Sequence, residues 1–190
     1  MGQIITIVSG LPRSGTSLMM QILSSGGMKT VTDNIRAADV DNPKGYYEFE
    51  EVKQIKEDST WLKNTRGKVF KMVSMLLYDL PPNEKYKIIF MERDMGEILT
   101  SQRKMLKRLK KESDTTDVDM GKFFNAHLSK ISGWLERQRN IDVLYVSYND
   151  LIKNPLEKVE LVNKFLSLKM DVRRMAEVID ESLYRNRFEI

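Results

Sequence analysis

Ile4-Ile-Thr-Ile-Val8 runs through Ser9 into Gly10-Leu-Pro-Arg-Ser-Gly-Thr-Ser17, and a helical stretch follows from Thr16 to Ser25, closed by Gly26-Gly27. The short β-branched run reads as a buried strand. The paired glycines allow a tight path that side chains would block. Backbone N–H groups of such a loop converge on one point, and the helix N-terminus adds positive potential there. The spacing of the glycines alone arises easily by chance; the strand before and the helix after make it an anion-binding loop. The competing reading is an ordinary strand–turn–helix corner.

The rest of the chain repeats the alternation. Lys68-Val-Phe-Lys-Met-Val73, Tyr86-Lys-Ile-Ile-Phe-Met91 and Asp142-Val-Leu-Tyr-Val-Ser147 read as strands. Helices are expected over 48–62, 95–110, 120–139, from Pro155 to Leu166, and over 172–183, with Pro155 suited to a first turn. Residues 28–48 and 112–119 are polar and rich in turn signals. This order predicts an α/β fold: three layers, α/β/α, around a central, mainly parallel sheet of four to five strands, with a P-loop after the first strand. A length of 190 residues and the absence of repeats or linkers predict a single domain over 1–190.

Composition narrows the chemistry. There is no cysteine and only one histidine, His127, which excludes disulfides, thiolate metal sites, a cysteine nucleophile and any two-imidazole mechanism. The net charge of +4 suits an anionic ligand, a nucleic acid or an anionic membrane surface equally. The basic run Arg103-Lys-Met-Leu-Lys-Arg-Leu-Lys-Lys111 reads as a solvated helix face with Met105, Leu106 and Leu109 turned inward, so nucleic acid is not the expected partner. No apolar run is long enough for a membrane span, and no signal peptide is visible; the expected compartment is the cytoplasm. Met1-Gly-Gln-Ile-Ile-Thr6 fits a myristoylation pattern, but Ile4 already begins a buried strand.

The loop departs from the nucleotide triphosphatase pattern, which ends in Gly-Lys-Ser/Thr. Here the triplet is Gly15-Thr16-Ser17, and the cation, Arg13, sits inside the loop. A phosphoryl-transfer enzyme built this way lacks a main source of charge stabilisation. A second set of phosphate-directed groups follows the third strand: Arg93 at its carboxyl end, where α/β proteins place ligands, and Ser101 eight residues later. Ser101 falls on the helix face of Glu97. A guanidinium with a nearby hydroxyl makes a phosphate clamp. The plainer alternative is a helix-capping salt bridge and a surface serine.

Taken together these segments resemble the sulfotransferase family. Val8-Ser-Gly-Leu-Pro-Arg-Ser-Gly-Thr-Ser-Leu18 is similar to its 5′-phosphosulfate loop. Ile88-Ile-Phe-Met-Glu-Arg93, with Ser101 downstream, is similar to its 3′-phosphate segment. Asp41-Asn-Pro-Lys-Gly-Tyr-Tyr-Glu48 resembles a loop of bacterial members, and Val143-Leu-Tyr-Val-Ser-Tyr-Asn-Asp-Leu151 with Pro155 resembles their late strand and turn. The resemblance implies transfer of a sulfuryl group from 3′-phosphoadenosine 5′-phosphosulfate (PAPS) to a hydroxyl or amine, leaving adenosine 3′,5′-bisphosphate (PAP), with no metal. It implies that Pro12, Arg13, Ser14, Gly15, Thr16 and Ser17 hold the phosphosulfate, with Arg13 steadying charge on the bridging oxygen. Arg93 and Ser101 are then expected on the 3′-phosphate, joined by Arg185 of the basic tail, where Arg187 also lies.

The general base is less directly implied. Cytosolic members carry a histidine shortly after a lysine on the second strand; here Lys71 is followed by Met72 and Val73. His127 falls in a helix similar to a non-catalytic one and is expected to be structural. Glu48, at the end of the polar loop, is the candidate base, its pKa rising if it is partly desolvated. The alternative for Glu48 is a first-turn helix residue favoured by the dipole. Leu18 stands where the family often has a tryptophan against adenine; Trp61 and Trp134 are more simply core residues. A P-loop kinase or NTPase and a non-catalytic nucleotide-binding module are the competing functions. The expected partner is a small-molecule or carbohydrate acceptor.

Overall fold

The structure, a computed structural model, describes residues 4–33, 35, 45–110 and 115–180. The first strand, β1 (Ile5–Gly10), is buried at every position. It lies between β2 (Val69–Lys71) and β3 (Tyr86–Glu92), and β4 (Ile141–Ser147) pairs on the far side of β3, giving the order β2-β1-β3-β4 with all pairs parallel. A strand covered on both faces has no solvent side to mark with polar residues, so its sequence reads as a continuous apolar run.

Side chains alternate between the two faces of this sheet. Ile5, Ile7, Phe70, Ile88 and Phe90 share one core with Ile131 and Leu135 of α3 (Asp117–Leu135). Val8, Val69, Ile89 and Met91 point the other way, into a core built with α1 (Thr16–Ser25), α4 (Tyr148–Lys153), α5 (Pro155–Leu166) and α6 (Val172–Glu177). The result is the expected α/β/α sandwich around a parallel sheet, with four strands among the described residues. A smaller cluster of Leu11, Ile98 and Phe124 joins the loop after β1 to α2 (Met95–Arg108) and α3.

Parallel strands all end at one edge, so the segments after β1, β2 and β3 emerge together there. Caps fix how they leave. Asp94 accepts from the Glu97 N–H at the start of α2, and Ser147 accepts from the Asp150 N–H at the start of α4. Pro155 occupies the first turn of α5.

Four local expectations change. Residues 48–62 do not form one helix but two 3-10 turns, Glu50–Gln54 and Thr60–Thr65. The reason is local competition: Asp33 takes the Glu50 N–H at 2.7 Å and Asp58 takes the Thr60 N–H at 2.8 Å, breaking the helical ladder. The final helix stops at Glu177 rather than 183. Of the apolar residues in the basic run, Met105 and Leu106 are half-buried, but Leu109 is 50% exposed, because α2 ends at Arg108 and Leu109 is its C-cap. The short helix α4 was not anticipated; it starts directly where β4 ends.

Candidate functional site

The loop after β1 takes its shape from two glycines. Gly10 has φ +147°, and a Cβ there would meet the Met91 carbonyl oxygen and Ser14 Oγ, each at 2.5 Å. Gly15 has φ +99° and caps α1, and its missing side chain leaves room for the Tyr148 ring. No side chain caps this helix and no carboxylate sits in its first turn. Its leading N–H groups and dipole are therefore directed at the space over the loop. Ser14 Oγ is buried with no hydrogen-bond partner, an orphan that a phosphate or sulfate oxygen would satisfy.

Arg13 adopts φ +70°, the left-handed region that a non-glycine residue enters at a cost. Two contacts hold it there. Its Nε donates to Ser101 Oγ at 2.9 Å, and its carbonyl accepts from Arg93 Nη1 at 3.2 Å. The two phosphate-directed segments read from the sequence are thus in direct contact. Ser101 is only 3% exposed, so it is not the surface serine of the plainer reading.

Arg93 is oriented from three sides. Its Nε donates to the Glu97 carboxylate at 2.8 Å, and the guanidinium carbon lies 4.3 Å from the Tyr148 ring centroid. Glu97 is 2% exposed and also accepts from Asn149 Nδ2 at 3.0 Å. Burial holds the Tyr148 phenol above its ordinary pKa, so it stays protonated.

Arg13, Arg93, Ser101 and Tyr148 line a cavity of about 490 Å³, a normal size for a small-molecule site. Pro12, Arg13, Gly15, Thr16, Ser17, Arg93 and Ser101 reach it, and so does Glu48. Ser14 lies in the same loop, buried beneath it. Glu48 precedes the first 3-10 turn; its carbonyl is pinned by the Thr32 hydroxyl at 2.9 Å and the Asp33 N–H at 3.1 Å. Arg185, Arg187 and residues 41–44 of the polar loop lie outside the described residues. Trp61 does not line the cavity: it packs edge-on to Phe49 and Phe70 in the core. Trp134 packs against the same core beside Tyr78. His127 bonds Ser74 Oγ at 2.8 Å, away from the cavity lining, and burial lowers its pKa. Val73, at the position of the family's histidine, faces the cavity with nothing to take a proton.

Two cavity residues carry more than the sequence reading assigned them. Lys71 ends β2 opposite Val8, and its Nζ donates to Ser17 Oγ at 3.2 Å. Tyr148 braces both Gly15 and Arg93. For Lys71 the available signal was its place at the carboxyl end of a strand beside the loop. Tyr148 carried none, because its role depends on packing across the sheet edge. Among the described residues, no group of three or more carboxylate or imidazole side chains converges as a metal site, and no helix is long and apolar enough to cross a membrane.

Comparison with known proteins gives this geometry a context. The family model described as "Sulfotransferase domain" matches residues 4–189. A search of curated protein sequences finds no match. Among solved structures, the chain is similar to mouse sulfotransferase SULT7A1 complexed with PAP, at 19% identity and TM-score 0.59, over 95% of this chain and 63% of that one. It is similar to sulfotransferase STF1 from Mycobacterium tuberculosis H37Rv at 14% identity and TM-score 0.59, over 93% and 71%. A sulfotransferase from Alicyclobacillus acidocaldarius matches at 14% identity and TM-score 0.52, over 97% of this chain and 100% of its own. At such identities the structures speak for the fold. The chain spans 63% of the length of the mouse protein.

Proposed function

The chain belongs to the sulfotransferase domain family, and on that premise we propose that it transfers a sulfuryl group from PAPS to a hydroxyl or amine of a small acceptor. The observation that carries this reading is the Arg13–Ser101 contact, which joins the loop after β1 to the segment after β3 in one cavity. A donor with phosphates at both ends of its ribose needs two such grips; an adenylate without a 3′-phosphate needs one.

In this reading the α1 N-terminus, Ser14, Thr16 and Ser17 bind the phosphosulfate. Arg13 and Lys71 bring positive charge to the bridging oxygen as its bond to sulfur breaks. Arg93 and Ser101 take the 3′-phosphate, with Glu97, Asn149 and Tyr148 orienting Arg93. Glu48 accepts the proton released as the acceptor oxygen or nitrogen bonds to sulfur. The tail residue Arg185 is assigned to the 3′-phosphate on family resemblance alone.

The test is a paired calorimetric titration with PAP and with ATP plus magnesium. PAP is expected to bind the more tightly. Tight binding of ATP without binding of PAP would mean a phosphoryl-transfer site instead.

A further inference from the structure

Two buried side-chain polar atoms lack a hydrogen-bond partner among the described residues, Ser14 Oγ and Gln102 Oε1. Folded proteins satisfy nearly all such atoms, so each exception calls for a cause. Ser14 belongs to the anion loop and has one. Gln102 sits on α2, one residue past Ser101, and lines the same cavity without belonging to either phosphate grip.

The helix sets the surroundings of this amide. Successive residues are turned about 100° apart around α2, so Gln102 shares its stripe with Ile98 and Met105 rather than with Glu97 and Ser101. Ile98 packs with Leu11 and Phe124, and Leu11 and Met105 both line the cavity. The 3-10 turn Ser74–Asp79 and the residue before it add Leu76, half-buried, and Val73, 41% exposed, to the lining. Gln102 is therefore one amide on an apolar stripe. An amide oxygen shut away from water without a partner is costly, and a hydroxyl or N–H brought in by a ligand removes the cost. The terminal torsion of glutamine is soft, so the amide turns toward such a ligand with little strain. Phosphate and sulfate oxygens do not answer this need, because they accept and so does Oε1.

Building on the sulfotransferase reading, we propose that Gln102 is a specificity-determining residue that receives a second hydroxyl or N–H of the acceptor. The acceptor is then a small molecule with an apolar body and two polar ends. The body covers Val73, Leu76 and Met105. One end is the nucleophile served by Glu48, and the other bonds the Gln102 amide. A hydroxyl suits either orientation of that amide, donating to its oxygen or accepting from its nitrogen. An acceptor with a methyl group at this end leaves the amide stranded, so the site discriminates against it.

The test uses two pairs of ligands of different length: 2,6-dihydroxynaphthalene with 6-methyl-2-naphthol, and 4,4′-dihydroxybiphenyl with 4-hydroxy-4′-methylbiphenyl. Each is titrated calorimetrically into PAP-saturated protein. In at least one pair the diol is expected to bind about tenfold more tightly than its methyl partner. Gln102→Met keeps the length of the side chain and removes the amide. It should lose that preference, bind PAP within about twofold of the parent, and melt no lower than the parent, because a buried polar atom without a partner has gone. Methyl partners that bind as tightly as the diols, a preference that survives in Gln102→Met, or no binding of any of the four ligands overturns the proposal. A lower melting temperature of the variant also overturns it, by giving the amide a structural role. So does a loss of PAP affinity, which would assign the amide to the ribose or adenine of the sulfuryl donor. Failure of the parent protein to bind PAP is a separate result and counts against the sulfotransferase reading itself.

Discussion

Arg13 Nε donates to Ser101 Oγ at 2.9 Å, across 88 residues of sequence. The loop cation and the serine assigned to the other phosphate are therefore not independent. Removing either one changes what the other can do for a ligand. We expect the losses of PAP affinity in Arg13→Ala and Ser101→Ala to be non-additive by about 1 kcal/mol in a double-mutant cycle followed by calorimetry. Additive losses would show that the contact carries no coupling.

Arg93 is the pivot between that pair and α2. Arg93→Ala is expected to weaken PAP by tenfold or more, roughly the worth of a charged hydrogen bond, and adenosine 5′-phosphosulfate only slightly. Equal losses for the two ligands would remove Arg93 from the 3′-phosphate. The variant should also melt earlier, because it removes the Arg93 ion pair of the Glu97 carboxylate, which is 2% exposed.

Gly15 and Gly27 both have positive φ, +99° and +97°. A Cβ on Gly27 meets nothing within 4 Å, whereas one on Gly15 meets Tyr148 Cδ2 at 2.4 Å. Both alanine variants pay left-handed strain of about 1–2 kcal/mol. Gly15→Ala should pay about 1–3 kcal/mol more for displacing the ring. Urea unfolding of the two variants measures the difference, and equal destabilisation would mean that the ring yields freely.

Glu48→Gln keeps the shape of the side chain and removes its capacity to accept a proton. Turnover should be abolished with PAP binding intact, measured with labelled donor and by calorimetry. Unchanged turnover would eliminate Glu48 as the base.

Burial depresses the pKa of His127 below its usual 6.5. The folded protein then binds fewer protons than the unfolded chain in the window just below that value, so stability rises with pH there. The contribution is complete above about pH 6.5 and is lost as pH falls toward the folded pKa. The melting temperature of the parent should therefore fall more between pH 7 and 5.5 than that of His127→Gln. Parallel pH profiles would contradict the role assigned to His127.

The fold was legible wherever a local pattern carried it. Ile5–Gly10 and Tyr86–Glu92 are buried strands with apolar sequence, and Gly10 and Gly15 mark the one path between strand and helix that needs them. Arg93 and Ser101 could be read as a pair because a strand end and two helical turns fix their separation. The segment 48–62 misled because its apolar spacing is helical, while Asp33, distant in sequence, captures the Glu50 N–H. Glu97 was legible as a neighbour of Ser101 but not as the buried partner of Arg93 and Asn149. Lys71 and Tyr148 gain their roles from Ser17, Gly15 and Arg93, all far off along the chain, and no periodicity encodes such contacts.

The contacts that complete the loop reach across 80 and 88 residues, from Arg93 to the Arg13 carbonyl and from Arg13 to Ser101. Long-range closures come late when a chain folds. Until Arg93 and Ser101 arrive, the β1 loop therefore lacks the contacts that hold Arg13 in its left-handed conformation. The loop is thus completed only when β3 docks beside β1, so a partly folded molecule is expected to lack a competent anion site altogether.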